Sequence, residues 1–311
     1  MLRRSILIIV FMLLTALPSS AQIPNAAQFN RTFTHHTATV NNVRLHYVTG
    51  GRGEPVVLLH GFGSTWYMWR NVMPELAKRY TVIVPDLRGA GDSDKPATGY
   101  DKRTLAEDIH QLVTMLGYQR IFLVGHDIGL MVSYAYAAAH PGEVRRLVLL
   151  DAPIPGTKVF EEIEHSPMVW HFAFHNVRDL PEALVAGRER TYLTEGFYRA
   201  LSYNPAAFTE ADVDEYVRCY SAPGGMRGGF EYFRAFAEDA RQNKEYFKNK
   251  LSMPVLALGG AQSLGPTMVN MAKEVATNVR GGVIERCGHW IGDERPEYLT
   301  EQLLAFLAEE K

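Results

Sequence analysis

The chain has 311 residues, of which 47% are hydrophobic and 21% charged, enough for one sizeable core and a subsidiary domain. That balance excludes a disordered or collagen-like chain. The formal net charge is −2 and Lys and Arg are scattered, so the basic footprint of a nucleic-acid binder is missing and a small-molecule partner is expected.

Arg3 and Arg4 precede an apolar run from Ile6 to Leu17, and Pro18-Ser19-Ser20-Ala21 follows with small residues. This is the pattern of a signal peptide over 1–21, with cleavage after Ala21. The run is shorter than the roughly 20 apolar residues of a membrane span. The expectation is a periplasmic or secreted protein with no stable membrane anchor after cleavage.

Strand-like alternation begins near His36, with Thr37 to Val40 and Val43 to Val48 flanking the turn pair Asn41-Asn42. Val56 to Leu59 reads as a buried strand, Met68 to Lys78 as a helix, Val82 to Val84 as a strand and Leu105 to Leu116 as an amphipathic helix. Ile121 to Val124 is a strand, Leu130 to His140 a helix and Leu147 to Leu150 a strand. Such alternation predicts an α/β fold with a mostly parallel central sheet and helices on both faces.

After Pro153-Ile154-Pro155-Gly156 come about ninety residues rich in Phe, Tyr, Glu and Arg, without buried-strand runs. Strand patterns return at Val255 to Leu258 and Gly282 to Ile284, and a closing helix starts near Glu297. The predicted organisation is a core of 22–152 and 246–311 interrupted by a helical cap at 153–245.

The chemistry starts at Gly125-His126-Asp127-Ile128-Gly129, between a strand and a helix. This is the context of a Gly-x-nucleophile-x-Gly elbow. Here the nucleophile position holds Asp127. A carboxylate attacks a saturated carbon and forms an ester, which water must then cleave. His126 reads as scaffolding of the turn. His289, in Cys287-Gly288-His289-Trp290 after the last strand, is the expected base for that water. The backbone amides of Phe62, in His60-Gly61-Phe62-Gly63, and of Ile128 are the expected oxyanion hole. The loop after Leu258 contains no carboxylate, which makes Asp151, at the end of the preceding strand, the candidate to orient His289. No cofactor or metal is implied. Two cysteines, Cys219 and Cys287, are too few for a disulfide scaffold or a Cys-based zinc site, and their pairing stays open.

With these residues in hand, the chain resembles the α/β-hydrolase superfamily and, within it, the epoxide hydrolase and dehalogenase branch. Pro85 to Pro96 is similar to that branch's segment before the nucleophile strand. The strongest likeness is to the exported Cif-type epoxide hydrolases. It rests on His126-Asp127-Ile128-Gly129, Asp151-Ala152-Pro153-Ile154-Pro155, Val169-Trp170-His171-Phe172 and Phe230-Glu231-Tyr232-Phe233-Arg234. The resemblance implies that His171 and Tyr232 grip the oxygen of a small uncharged epoxide. It also implies hydrolysis of that epoxide to a vicinal diol.

Departures rank the alternatives. Haloalkane dehalogenases usually carry Trp where this chain has Ile128, and Asn where it has Phe62. Fluoroacetate dehalogenases carry Arg at the positions of Ile128 and Met131, and Trp where Phe172 stands. Haloacid or haloalkane dehalogenation with the same Asp is therefore second. A non-enzymatic ligand-binding shell is third, since binding alone does not need Asp127, Asp151 and His289 together. The oligomeric state, a homodimer included, is left open.

Overall fold

A computed structural model describes residues 26–309; the expected signal peptide at 1–21 lies outside the described residues. Eight strands form one sheet in the order β1-β2-β4-β3-β5-β6-β7-β8. They are β1 (Phe33–Val40), β2 (Val43–Gly51), β3 (Glu54–Leu59), β4 (Tyr80–Pro85), β5 (Ile121–His126), β6 (Val144–Leu150), β7 (Val255–Gly260) and β8 (Val279–Ile284). Only β2 runs against the others, pairing antiparallel with both β1 and β4. Asn41 and Asn42 turn the first hairpin with φ of 45° and 58°, the left-handed conformation that Asn tolerates.

From β3 to β7 the strands are buried almost throughout, as a sheet covered on both faces requires. The helix Lys102–Met115 packs on β1 and on the helix Ile128–Ala139, which lies against β3, β5 and β6 and is nearly all buried. Asp101 caps the first by accepting from the Thr104 amide. The segment expected to be a helix from Met68 to Lys78 is instead a 3₁₀ turn, Trp66–Trp69, and a short helix, Met73–Leu76. Pro74 explains the break, because proline fits a first helical turn and not a helix interior.

Between β6 and β7 every element is helical, from Lys158–Ile163 through Phe236–Tyr246. These helices lie at the carboxyl ends of the parallel strands, where open α/β sheets place their ligands. The helix Gly225–Arg234 packs on Trp170–Asn176 through a shared aromatic core. Both cysteines are buried and free.

Candidate active site

The elbow is a backbone device. Asp127 sits at φ 52°, ψ −122°, a left-handed conformation that a non-glycine residue adopts at a cost of about 1–3 kcal/mol. That strain lifts its side chain off the end of β5. A Cβ at Gly129 would lie 2.4 Å from the Leu59 carbonyl oxygen, so only glycine lets the following helix pack onto β3. Gly61 meets Asp127 in the same way, since a Cβ there would lie 2.5 Å from its Oδ2. The Phe62 amide donates to that same oxygen at 2.8 Å. One carboxylate oxygen of Asp127 is thus already held by a backbone donor.

Asp151 ends β6 at φ 51° and is 1% exposed. Its Oδ1 accepts from the Gly260 amide at 3.0 Å, and its Oδ2 lies 2.8 Å from His289 Nδ1. The backbone of the carboxylate-free loop after β7 therefore holds the acid that β6 supplies. Burial alone would lower the His289 pKa, but the hydrogen bond and charge of Asp151, with the charge of Asp127, raise it above its ordinary value. The tautomer follows: Nδ1–H faces Asp151 and leaves the Nε2 lone pair for a proton. His126 Nε2 donates to the His289 carbonyl at 2.8 Å, fixing that loop. Burial pushes His126 down to about 3, so it stays neutral.

Asp127, Asp151 and His289 open onto a cavity of about 130 Å³ lined mainly by Phe62, Phe172, Phe197, Phe233 and Trp290. His171 lines it from the cap. Neither ring nitrogen of His171 has a hydrogen-bond partner among the described residues, and its ring packs at 5.2 Å from Phe197 and 5.5 Å from Phe233. Burial, with the charge of His289 facing it, pushes the His171 pKa down to about 3. It is a neutral donor in an apolar box. A larger open groove of about 1050 Å³ lies at the opposite, amino ends of the strands and contains none of these groups.

The family model described as alpha/beta hydrolase fold matches residues 54–296. The chain belongs to the alpha/beta hydrolase fold family. This hydrolase is 43% identical over 281 residues to a soluble epoxide hydrolase of Corynebacterium, covering 88% of this chain and 97% of that one. It is 29% identical to a fluoroacetate dehalogenase of Burkholderia over 89% of this chain and 94% of that one. Among solved structures, the Cif epoxide hydrolase of Acinetobacter nosocomialis superposes with a TM-score of 0.84 at 28% identity, covering 89% of this chain and 90% of that one.

The cap of this hydrolase requires one correction. Tyr232, expected at the epoxide oxygen, is not brought to the cavity: it is fully buried and its hydroxyl donates to the Arg88 carbonyl at 2.6 Å. Consecutive helical residues point about 100° apart. On the helix Gly225–Arg234 the neighbour, Phe233, takes the cavity-facing position, while Tyr232 packs against Tyr100 at 5.6 Å. The pairing of His171 with Tyr232 in the cap therefore fails on geometry.

Two other tyrosines do act on the site and were missed in the sequence. Tyr220 accepts from the Gly63 amide at 2.8 Å and donates to the Ser64 carbonyl, and Tyr198 donates to the Gly63 carbonyl. Both are buried cap residues that clamp the loop carrying the Phe62 amide. Glu294 likewise ties the His289 loop to the cap by accepting from the Gly288 and Asn204 amides. Their sequence separations of about 90 to 160 residues carry no local signal.

Proposed function

We propose that this hydrolase opens small uncharged epoxides to vicinal diols through an ester on Asp127, with residues 153–245 as the cap over the reaction. The observation that carries this reading is the division of labour at Asp127. Its Oδ2 is held by the Phe62 amide, which leaves Oδ1 to attack. As the ring C–O bond breaks, the departing oxygen develops negative charge and accepts the N–H of His171, then takes a proton from solvent. His171 donates without being an acid, since its neutral ring has no proton to lose cheaply.

The second step uses the other wall. His289 takes a proton from water through Nε2, and the hydroxide adds to the Asp127 carbonyl carbon. Oδ2 becomes the oxyanion, already seated on the Phe62 amide. The Ile128 amide is the second donor, because the first N–H groups of a helix have no intrahelical acceptor. Collapse restores Asp127 and releases the diol, and one proton returns to solvent. No cofactor enters the scheme.

Two measurements test it. In His289→Gln, intact-mass spectrometry should find protein plus one substrate, because ring opening proceeds and hydrolysis stalls. In a single turnover in ¹⁸O-water, wild-type protein should carry the label in Asp127 and not in the diol. Label in the diol, with no adduct in the variant, would refute a covalent path.

A second reading is halide displacement by the same carboxylate. It is favoured by Phe233, which offers no donor at a cap position where an alkoxide would profit from one. No Lys or Arg lines the cavity among the described residues, so uncharged halocarbons are the candidates rather than haloacids. A panel of epoxides, haloacetates and haloalkanes separates the readings. We also propose export with cleavage after Ala21, supported by the Arg3-Arg4 start and the apolar run that follows. N-terminal sequencing of protein from periplasm and medium tests this; a chain starting at Met1 overturns it.

A further inference from the structure

Far from the cavity, the described residues contain a cluster of two imidazoles and a carboxylate. His110 lies on the helix Lys102–Met115, His140 is the C-cap of the helix Ile128–Ala139, and Glu143 is one residue before β6. The nitrogen and oxygen atoms that they offer all lie within 4.8 Å of one another. His110 Nδ1 is 3.1 Å from one Glu143 oxygen and His140 Nδ1 is 3.6 Å from the other. Zinc binds His nitrogen and carboxylate oxygen at about 2.0–2.2 Å, so ligand atoms of a tetrahedral site stand roughly 3.3 Å apart. The two observed separations bracket that value.

We propose that His110, His140 and Glu143 bind a divalent transition-metal ion such as zinc, with water at the remaining position.

Charge points the same way. Glu143 has ion pairs with His110 and His140 but none with Lys or Arg among the described residues. Glu107, one turn before His110, has no Lys or Arg ion pair either; its side chain accepts from Gln111. Two carboxylates with no Lys or Arg partner leave negative charge that a dication would offset. His140 also ends a helix, where the macrodipole is negative and a cation is favoured. The two rings stack at 3.9 Å with planes 3° apart, which brings them side by side at the Glu143 carboxylate. All three side chains are 23–32% exposed, so an ion can reach them. Binding through Nδ1 places the ring proton of each imidazole on Nε2. Imidazole with carboxylate is a donor set that suits zinc, nickel and copper better than calcium or magnesium.

Such an ion would staple the far end of the nucleophile helix to its neighbour and to β6. Twelve residues at 1.5 Å each put it about 18 Å from Asp127, so it would act on stability and not on the chemistry.

The test is zinc titration of EDTA-treated, full-length mature protein by calorimetry and thermal unfolding. One ion per chain should bind with Kd of about 1 μM or tighter. Tm should rise by about 5 °C at 100-fold Kd, with kcat on an epoxide unchanged by one equivalent of zinc. His110→Ala and Glu143→Gln should each weaken binding at least about tenfold. Their zinc-free Tm and circular dichroism establish that they are folded. His35→Ala, in the separate His35–His46–Asp86 cluster, should bind as wild type. Three results would overturn the proposal: no binding at 100 μM zinc, wild-type affinity in both His110→Ala and Glu143→Gln, or loss of binding in His35→Ala instead.

Discussion

The two walls of the cavity are built on opposite principles. On the core wall every reactive group is held: Asp127 by the Phe62 amide, Asp151 by the Gly260 amide, His289 by Asp151, and the His289 carbonyl by His126. The cap wall is mostly apolar, and His171 on it has no hydrogen-bond partner among the described residues. A polar network in a low-dielectric site is useful only when each member is satisfied before the reaction begins. An unsatisfied donor is useful where charge appears only in the transition state. In the proposed mechanism the core wall prepares charges that exist throughout the cycle, and the cap wall waits for one that does not.

Substitutions can break this contrast in order of size. Asp127→Ala should abolish turnover, by about 10⁴-fold or more, with no protein adduct on any epoxide. Residual ester on another carboxylate, seen by mass spectrometry, would show that the wrong nucleophile is assigned.

Asp151→Asn should slow hydrolysis of the ester by about 10³-fold and shift its pH profile. His289 works as a base only when neutral, and its pKa is raised, so the rate should climb with pH through a value above 6.5. Without the Asp151 charge, burial dominates and the acid limb should move to lower pH. A limb that stays in place would mean another group controls it.

His171→Ala should slow ester formation by about 10²–10³-fold while leaving ester hydrolysis intact, as single-turnover kinetics can resolve. Equal loss in both steps would indicate collapse of the cavity rather than loss of a donor. Phe233→Tyr sharpens the same point from the other side. A hydroxyl on the position that faces the cavity should speed epoxide opening by about tenfold and leave halocarbon turnover behind. No gain would show that one cap donor suffices.

The smallest effect is expected at Tyr232. Tyr232→Phe removes a hydrogen bond to the buried Arg88 carbonyl and should cost about 1–3 kcal/mol of stability in denaturant unfolding. Ester formation should stay within about twofold of wild type. A large rate loss at unchanged stability would restore Tyr232 to the reaction.

Much of this protein is written locally. Period-two and period-three-to-four patterns, buried apolar runs and the Asn41-Asn42 turn place most of the strands and the helices behind them, because each depends on residues a few positions apart. The elbow is legible for the same reason: Gly125, Asp127 and Gly129 must be close in sequence to make one strained turn. His289 and Asp151 follow from their places at strand ends on one edge of a parallel sheet. The helix expected from Met68 failed at Pro74, a local signal that was outweighed by apolar spacing.

The cap is different. Whether Tyr232 or Phe233 faces the cavity turns on about 100° of rotation around one short helix, and both sides of that helix are buried. Periodicity cannot choose between two buried faces; only the packing of Phe233 against His171 and of Tyr232 against Tyr100 does so. The same holds for Tyr198 and Tyr220 on the Gly63 backbone, and for His110 and His140 meeting at Glu143. The sequence by itself determined the sheet, the elbow and the carboxylate at its tip, since these follow from neighbouring residues. Only the tertiary structure decided which distant side chains meet, because burial is shared by every face of a packed helix and direction is not.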